Sequence, residues 1–174
     1  MGSDARAGVA GADAGRVHAG LQTGWWLEDA IPGAVLRHPS GRTLADGDHV
    51  WLTWVAQNAS DLHGNADAAA RTEWGQPIVL GALTISVVIG LAAPAAGPPE
   101  TAGAGAMEGW RTIRLTANVL PGDTVYAESE IHAVAAAPGA PVGRVHRTIV
   151  GRNQRGEAIA RIEEERTVAR RPGG

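Results

Sequence analysis

The sequence predicts an α+β fold in which one antiparallel sheet surrounds a central apolar helix. Apolar residues recur at helical spacing in the first half, whereas the second half, after Met107, alternates apolar and polar residues with the period of a strand. Between these halves, residues 79–92 form an almost purely apolar run. Its length favours a buried helix, although its β-branched Ile and Val side chains leave a strand open. A helix-rich half followed by antiparallel strands packs as helix against sheet.

The composition is that of one soluble globular domain. The 174 residues are 44% hydrophobic and 19% charged, and the chain is long enough to bury a substantial core. A net charge of −3 argues against broad electrostatic binding to nucleic acid. The absence of cysteine excludes disulfides, thiolate catalysis and cysteine-based metal sites. No histidine pair one helical turn apart faces a carboxylate, so we expect no metal site. We also expect no cofactor.

The chain divides into one domain with short tails. Residues 1–24 are rich in Gly and Ala and predict a disordered tail, residues 25–171 form the domain, and residues 172–174 are a frayed end. The N-terminus lacks the basic start and apolar core of a signal peptide. Residues 78–93 are short for a membrane-spanning helix, so we expect a soluble, cytoplasmic protein.

Each element of the first half has a local signal. A Pro-Gly turn at 32–33 precedes a short strand through Val35 and Leu36. A helix follows, with Asp46 or Asp48 placed to favour its N-terminus electrostatically. Its apolar positions at helical spacing are Val50, Trp51, Trp54 and Val55. Residues 66–72 predict a short helix before the Trp-Gly-Gln-Pro bend, and the Pro-, Gly- and Ala-rich stretch 94–105 predicts a loop.

The second half predicts strands over residues 110–119, 124–135, 144–153 and 157–169. The alternation is clearest in the second of these, where one face carries Val125, Ala127, Ser129 and Ile131, and the other Tyr126, Glu128, Glu130 and His132. Turn residues at 121–123 and 155–156 separate the strands.

A candidate catalytic pair lies at the start of the apolar run. His63 is a residue type that takes and returns a proton near neutral pH. Gly81 opens the apolar helix, and helix N-terminal amides without a side chain above them suit a developing oxyanion. The alternatives are a structural or solvated His63 and a Gly81 that serves helix packing alone.

The chain resembles the MaoC-like hydratase/dehydratase family of the hotdog fold, in which a curved antiparallel sheet wraps a long central helix. The resemblance covers 25–171 and rests on four segments in order: WLEDAIPGAVLRHPSGRTLADGD, DLHGNADAAARTEWGQPIVLGALTISVVIGL, ANVLPGDTVYAESEI and GRNQRGEAIARIEEERTVARR. The family's catalytic His falls on His63 and its helix glycine on Gly81. Other positions depart from the family pattern: Asn58 stands for Asp, Asp61 for Pro, Asn65 for Asp, and Leu80 for a frequent His.

The resemblance implies a lyase that reversibly hydrates an enoyl thioester, or dehydrates a 3-hydroxyacyl thioester, carried by CoA or acyl carrier protein. His63 would be the general acid/base, and the amide region of Gly81 the oxyanion hole. Asn58 cannot accept a proton, so it would position water, or serve only to end a helix. The residues expected to line the substrate site are Asp61, Leu80, Ala82, Trp54 and Trp74, although core packing is the simpler role for the two tryptophans. A symmetric homodimer or a multiple of it is expected, without nucleic acid or membrane.

Two other functions stay open. Loss of the usual carboxylate at Asn58 fits a non-catalytic hotdog subunit that binds an acyl group or supports a partner. A thioesterase is disfavoured, because hotdog thioesterases use a carboxylate on or near the central helix and 79–92 has none. Three arginines offer phosphate contacts, but a solvated hairpin is the simpler reading: Arg147, Arg152 and Arg155. Four histidines fall in the tail or on expected solvated faces: His18, His49, His132 and His146.

Overall fold

A computed structural model describes residues 17–19, 26–93 and 106–171. It places the strands β1 (Val17–Ala19), β2 (Val35–Arg37), β3 (Arg42–Thr43), β4 (Met107–Leu115), β5 (Thr124–Ala135), β6 (Val142–Asn153) and β7 (Ala158–Ala169). The helices are α1 (Asp46–Val55), α2 (Asp61–Gly64), α3 (Ala66–Ala69) and α4 (Gly81–Ala92), and a single 3₁₀ turn spans Leu27–Asp29.

One sheet joins the described strands. Its order is β1-β2-β5-β6-β7-β4, and β3 pairs with β5 beside β2. All pairings are antiparallel except the short one between β1 and β2. The sheet therefore has the antiparallel arrangement that the period-two pattern of the second half predicts.

The central helix α4 packs on this sheet through every fourth residue. Thr84, Val88 and Ala92 are buried, and the helix contacts β5, β6 and β7. A Cβ on Gly151 of β6 would overlap a methyl group of Val88. This strand therefore needs glycine where the helix crosses it, and the buried apolar helix that residues 79–92 predict is confirmed.

Several boundaries match the predictions and others move by a few residues. β5 spans Thr124–Ala135 as predicted, and its inward residues Val125, Ala127, Ser129 and Ile131 are at most 6% exposed. β4 begins and ends earlier than the predicted 110–119, and α2 and β3 are additional short elements. Residues 17–19, within the stretch expected to be disordered, form β1. The rest of that tail, the predicted loop 94–105 and residues 172–174 lie outside the described residues.

The N-terminus of α1 forms as its acidic residues suggest. The carboxylate of Asp48 accepts a hydrogen bond from the Ala45 amide at 3.0 Å. That bond, aided by Arg42, holds the pKa of Asp48 below its ordinary value despite the opposing effect of desolvation. An acidic residue here satisfies an amide that the helix ladder leaves open.

The apolar stripe of α1 faces solvent in the single chain. Val50, Trp51, Trp54 and Val55 are 49%, 67%, 81% and 59% exposed, while the buried side chains of the helix are His49 and Thr53. The expectation that His49 lies on a solvated face is therefore wrong, and so is core packing for Trp54. His49 faces inward because its ring nitrogens bond the His63 carbonyl and the Leu80 amide, next to the start of α4.

Candidate active site

The segment that carries the candidate histidine starts from the C-terminus of α1. Gln57 adopts a left-handed conformation with φ +50°, and the Asn58 amide donates to the Thr53 carbonyl at 2.9 Å. This is the geometry of a Schellman helix end, in which a glycine is more usual than Gln57. It turns the chain sharply from α1 into α2, which contains His63.

The imidazole of His63 is oriented by a backbone carbonyl. Its Nδ1 lies 2.9 Å from the carbonyl oxygen of Ile78, three residues before α4. Because a carbonyl only accepts, Nδ1 carries a proton, and in the neutral ring Nε2 therefore presents a lone pair. No hydrogen bond joins Nε2 to another described residue, and the residue is only partly buried. In the neutral ring, Nε2 of His63 is therefore placed to act as a base.

A second histidine, His49 of α1, is hydrogen bonded to the backbone on both sides of this site. Its Nε2 donates to the His63 carbonyl oxygen at 2.7 Å, and its Nδ1 accepts from the Leu80 amide at 3.3 Å. The two rings are edge to face, with centroids 6.1 Å apart. His49 is 2% exposed. Its contacts connect the loop of His63 with the residue that precedes α4.

The N-terminus of α4 presents two free amides. Leu80 is the N-cap and its own amide is used by His49. The amides of Gly81 and Ala82 have no acceptor among the described residues, because the first amides of a helix precede its hydrogen-bond ladder. Gly81 is partly exposed and Ala82 exposed. The helix dipole adds a partial positive charge at this point, which favours an anionic ligand oxygen.

Gly81 also lies close to the edge strand β4. A Cβ at this position would come within 2.5 Å of the Leu115 Cδ1 atom. The glycine thus permits both the approach of Leu115 and access to the amides, so the packing and the functional interpretations of Gly81 are compatible.

Asn58 and Asp61 lie on the same segment but make local contacts. The Asn58 side chain accepts from the Ser60 amide at 3.0 Å, and the Asp61 carboxylate accepts from the Asn65 side-chain amide at 3.4 Å. Within the described part of the chain, neither side chain is hydrogen bonded to His63. The His63 ring is oriented by the carbonyl of Ile78 and not by Asp61.

The other predicted substrate-site residues divide into buried and exposed positions. Leu80 is 8% exposed and faces the core, whereas Trp74 is 37% and Trp54 81% exposed. Ala82 lies on the open side of α4. The two tryptophans therefore offer apolar surface to an acyl chain or to another protein, and neither is a core residue.

The three arginines considered for phosphate binding are all engaged in ion pairs. Arg152 pairs with Glu128 and Arg155 with Asp123. Arg147 is not on a solvated hairpin: it is 0% exposed and pairs with Glu164. It also donates to the Ala92 carbonyl at 3.1 Å, at the C-terminus of α4. Burial lowers the pKa of Arg147, and the nearby Glu164 carboxylate acts against that shift.

His49 is the site residue that the sequence pattern missed. The signal present was its spacing of four residues from Thr53, which places both on one face of α1. Four large apolar residues on the other face outweighed that signal. Periodicity identifies the faces of a helix, but it does not determine which face packs against the rest of the protein.

Comparison with known proteins places this geometry in context. The chain is 30% identical over 131 residues to the beta-methylmalyl-CoA dehydratase of Chloroflexus aurantiacus, a match that covers 75% of this chain and 35% of the relative. No protein-family model matches the chain. The chain thus spans about a third of the length of the curated relative it matches.

Solved structures confirm the fold. A putative MaoC domain dehydratase from Chloroflexus aurantiacus has a TM-score of 0.74 at 23% identity, covering 87% of this chain and 46% of that one. An R-hydratase from Pseudomonas aeruginosa has 0.64 at 20%, covering 85% and 88%. A Mycobacterium tuberculosis protein with a double hotdog fold has 0.72 at 21%, covering 87% and 46%. The predicted hotdog fold is therefore confirmed. No helix in the described ranges has the length and apolar character to cross a membrane.

Proposed function

We propose, from the premise that this chain is a hotdog protein that resembles MaoC-like hydratases and dehydratases in sequence and fold, that it is a hydro-lyase. Its reaction would be the reversible hydration of an enoyl thioester to a 3-hydroxyacyl thioester on CoA or acyl carrier protein. The beta-methylmalyl-CoA dehydratase relative supports a CoA thioester as the first substrate to test.

One observation carries the proposal: hydrogen bonds tie His63 to Ile78 and Leu80, the residues that lead directly into the free amides of α4. The His63 ring is tied to Ile78 at 2.9 Å, and the His63 backbone is tied through His49 to Leu80. A proton-transfer group and an oxyanion-binding helix start are therefore held in one rigid unit. Such preorganisation is what a thioester lyase requires.

His63 would handle the proton in both half-steps. In hydration, Nε2 removes a proton from water while the water oxygen bonds to C3 of the enoyl group. The electron pair of the C2–C3 double bond moves towards the thioester carbonyl. The same imidazole then returns its proton to C2 on the same face, which gives net syn addition. Dehydration runs the same steps in reverse.

The amides of Gly81 and Ala82 would stabilise the enolate oxygen that forms during this sequence. Donors of this kind act mainly on the transition state, where charge has developed, and each is typically worth about 3 kcal/mol. The absence of a side chain at Gly81 leaves the carbonyl room to approach the backbone.

Asn58 gives the proposed mechanism its single acid/base character. A side-chain amide neither gains nor loses a proton near neutral pH, so Asn58 would orient the water and leave proton transfer to His63. The same residue favours a second candidate, a non-catalytic hotdog subunit that binds an acyl thioester. The two differ in turnover, since only the first predicts a change of one water in mass.

A second copy of the chain would complete the assembly. β4 lies at the sheet edge, and Trp110, Ile113 and Leu115 on it are 42%, 39% and 49% exposed. An exposed apolar edge strand is prone to pair with another chain. The likeness to a double hotdog protein, of which this chain covers 46%, supports a paired arrangement of two such units. We expect a homodimer, or a multiple of it, by analytical ultracentrifugation.

The direct test is a mass-spectrometric screen of enoyl-CoA and 3-hydroxyacyl-CoA thioesters, with a branched mesaconyl- or methylmalyl-type pair included. Gain or loss of one water with wild-type protein supports the lyase. Binding of a thioester without turnover, together with a stable partner on co-purification, supports the non-catalytic subunit instead. Release of free CoA would contradict both and indicate a thioesterase.

A further inference from the structure

His49 has both ring nitrogens engaged, and the chemistry of its partners fixes its tautomer. The His63 carbonyl accepts at 2.7 Å, so Nε2 of His49 carries the proton. The Leu80 amide donates at 3.3 Å, so Nδ1 of His49 is unprotonated. A buried imidazole with one donor and one acceptor satisfied is neutral and held in one orientation. Its 2% exposure leaves it no direct contact with a substrate.

These bonds close a ring that includes both parts of the proposed site. His49 reaches the backbone of His63, the His63 side chain reaches Ile78, and Leu80, two residues further on, returns to His49. The Ile78 amide adds a bond to the Leu62 carbonyl at 3.2 Å. Three segments that are separate in sequence are thereby locked together by side-chain and backbone bonds.

The bond to Leu80 also determines which amides remain free. With the Leu80 amide directed into His49, the open donors of α4 are those of Gly81 and Ala82. Without His49, the Leu80 amide would be an additional unsatisfied donor and the start of the helix would lose its anchor to α1. The position of the oxyanion donors relative to His63 would then vary.

We propose that His49 is a positioning residue that sets the distance between the His63 ring and the first amides of α4. The proposal rests on the proposed function, because it assigns His49 a role in that same site. Its action is through His63 and Leu80 and involves no proton transfer of its own.

The variants that test this separate the two bonds. His49→Gln retains a donor for the His63 carbonyl, His49→Asn retains an acceptor for the Leu80 amide, and His49→Leu retains neither. Thr53→Val is the matched control: Thr53 lies on the same buried face, four residues away, and its hydroxyl donates only to the Val50 carbonyl. It tests for general effects of altering this face of α1.

Two readouts decide the role. In the thioester hydration assay, His49→Leu is expected to lower kcat about 100-fold, since small misplacements of reacting groups have effects of that size, and to leave KM within about threefold. The Gln and Asn variants fall between it and wild type, and Thr53→Val stays within about twofold. In ¹⁵N NMR, His63 shows the Nδ1–H tautomer in wild type and a mixture of tautomers in His49→Leu.

The proposal is overturned if a folded His49→Leu protein keeps wild-type kcat and the wild-type His63 tautomer, or if Thr53→Val loses as much activity. If His49→Leu does not fold, unchanged kcat and an unchanged His63 spectrum in both the Gln and Asn variants overturn it. If the wild type hydrates no thioester, the proposed function fails. In that case the NMR comparison alone tests the positioning role of His49, and an unchanged His63 tautomer in the folded variants would exclude that role.

Discussion

Replacement of Gly81 by alanine is expected to reduce activity without a matching loss of stability. The new Cβ would lie 2.5 Å from the Leu115 Cδ1 atom, which is the end of a flexible side chain that is 49% exposed. Leu115 can rotate away, at a cost of about 1 kcal/mol. Alanine has a helix propensity better than glycine by up to about 1 kcal/mol. The net change in the free energy of unfolding should therefore stay within about 1 kcal/mol.

The effect on catalysis should be much larger. A methyl group at Gly81 stands beside the amides of Gly81 and Ala82, where the thioester oxygen would bind. Obstructing one such donor is expected to lower kcat about 100-fold, equivalent to about 2.7 kcal/mol. Urea unfolding followed by tryptophan fluorescence gives the stability, and the thioester hydration assay gives kcat.

Gly90→Ala is the control for this substitution. Gly90 lies in the same helix, and a Cβ there would meet no atom within 4 Å. We expect this variant to gain up to about 1 kcal/mol in the free energy of unfolding and to keep wild-type kcat. A folded Gly81→Ala protein with kcat within about twofold of wild type would refute the oxyanion role of Gly81.

Three further predictions concern stability. Glu164→Gln leaves the buried Arg147 and Arg166 without their shared carboxylate. Urea unfolding should show that the free energy of unfolding falls by about 3–5 kcal/mol. The decrease should be larger than for Arg147→Met, which leaves Glu164 beside Arg166. Burial and Arg147 lower the pKa of His38 to about 4. Below pH 6.5 the unfolded chain therefore binds more protons than the folded one, and the free energy of unfolding should fall between pH 6.5 and 4 by about 2 kcal/mol after allowance for partial exposure. His38→Gln should flatten this pH dependence. Gln57→Gly, which relieves a left-handed residue at φ +50°, should raise the free energy of unfolding by up to about 1 kcal/mol, whereas Gln57→Ala should not.

The opposite results would be informative for each of these. Equal losses for Glu164→Gln and Arg147→Met would mean that Arg166 is not part of the buried charge balance. A pH profile of stability that is unchanged in His38→Gln would assign the acid sensitivity to other groups. A destabilised Gln57→Gly would show that the side chain contributes more than the backbone conformation opposes.

The strand pattern could be predicted well because one face of the sheet meets the core and the other meets water. In β5 the alternation extends over the whole strand, and its bounds of Thr124–Ala135 match the prediction. The central helix could also be predicted, because a long apolar run without charge is stable in a small domain only when it is buried in the core. In both elements, the pattern of apolar and polar residues along the chain is sufficient to predict the secondary structure without knowledge of the elements that pack against it.

The pairing of buried charges could not be read from one strand alone. Arg147 lies between the inward-facing Val145 and Ile149 of β6, so alternation applied to that strand would have placed it inside. Its partner Glu164 is directly opposite on β7, and finding it requires the register of the hairpin. A charged residue on an inward face predicts a partner, but the sequence does not identify that partner.

The candidate site was partly predictable for a similar reason. His63 and Gly81 stand out by residue type and position, and resemblance to the MaoC-like pattern strengthens both. The Ile78 carbonyl that orients His63 carries no sequence signal, because any residue supplies a carbonyl. His49 was obscured by the tryptophans on the other face of α1, which are exposed in the single chain and available to an acyl chain or a partner.

The proposed mechanism assigns the proton transfer in the addition and removal of water to Nε2 of His63. Its most direct test is the hydration rate of an enoyl-CoA thioester that wild type accepts, measured for wild type and His63→Gln at equal folded concentration and saturating substrate. His63→Gln should bind the thioester normally but lose at least about 1,000-fold in kcat, within the range of general acid–base catalysis. A folded His63→Gln protein that adds water within about tenfold of the wild-type rate would contradict it.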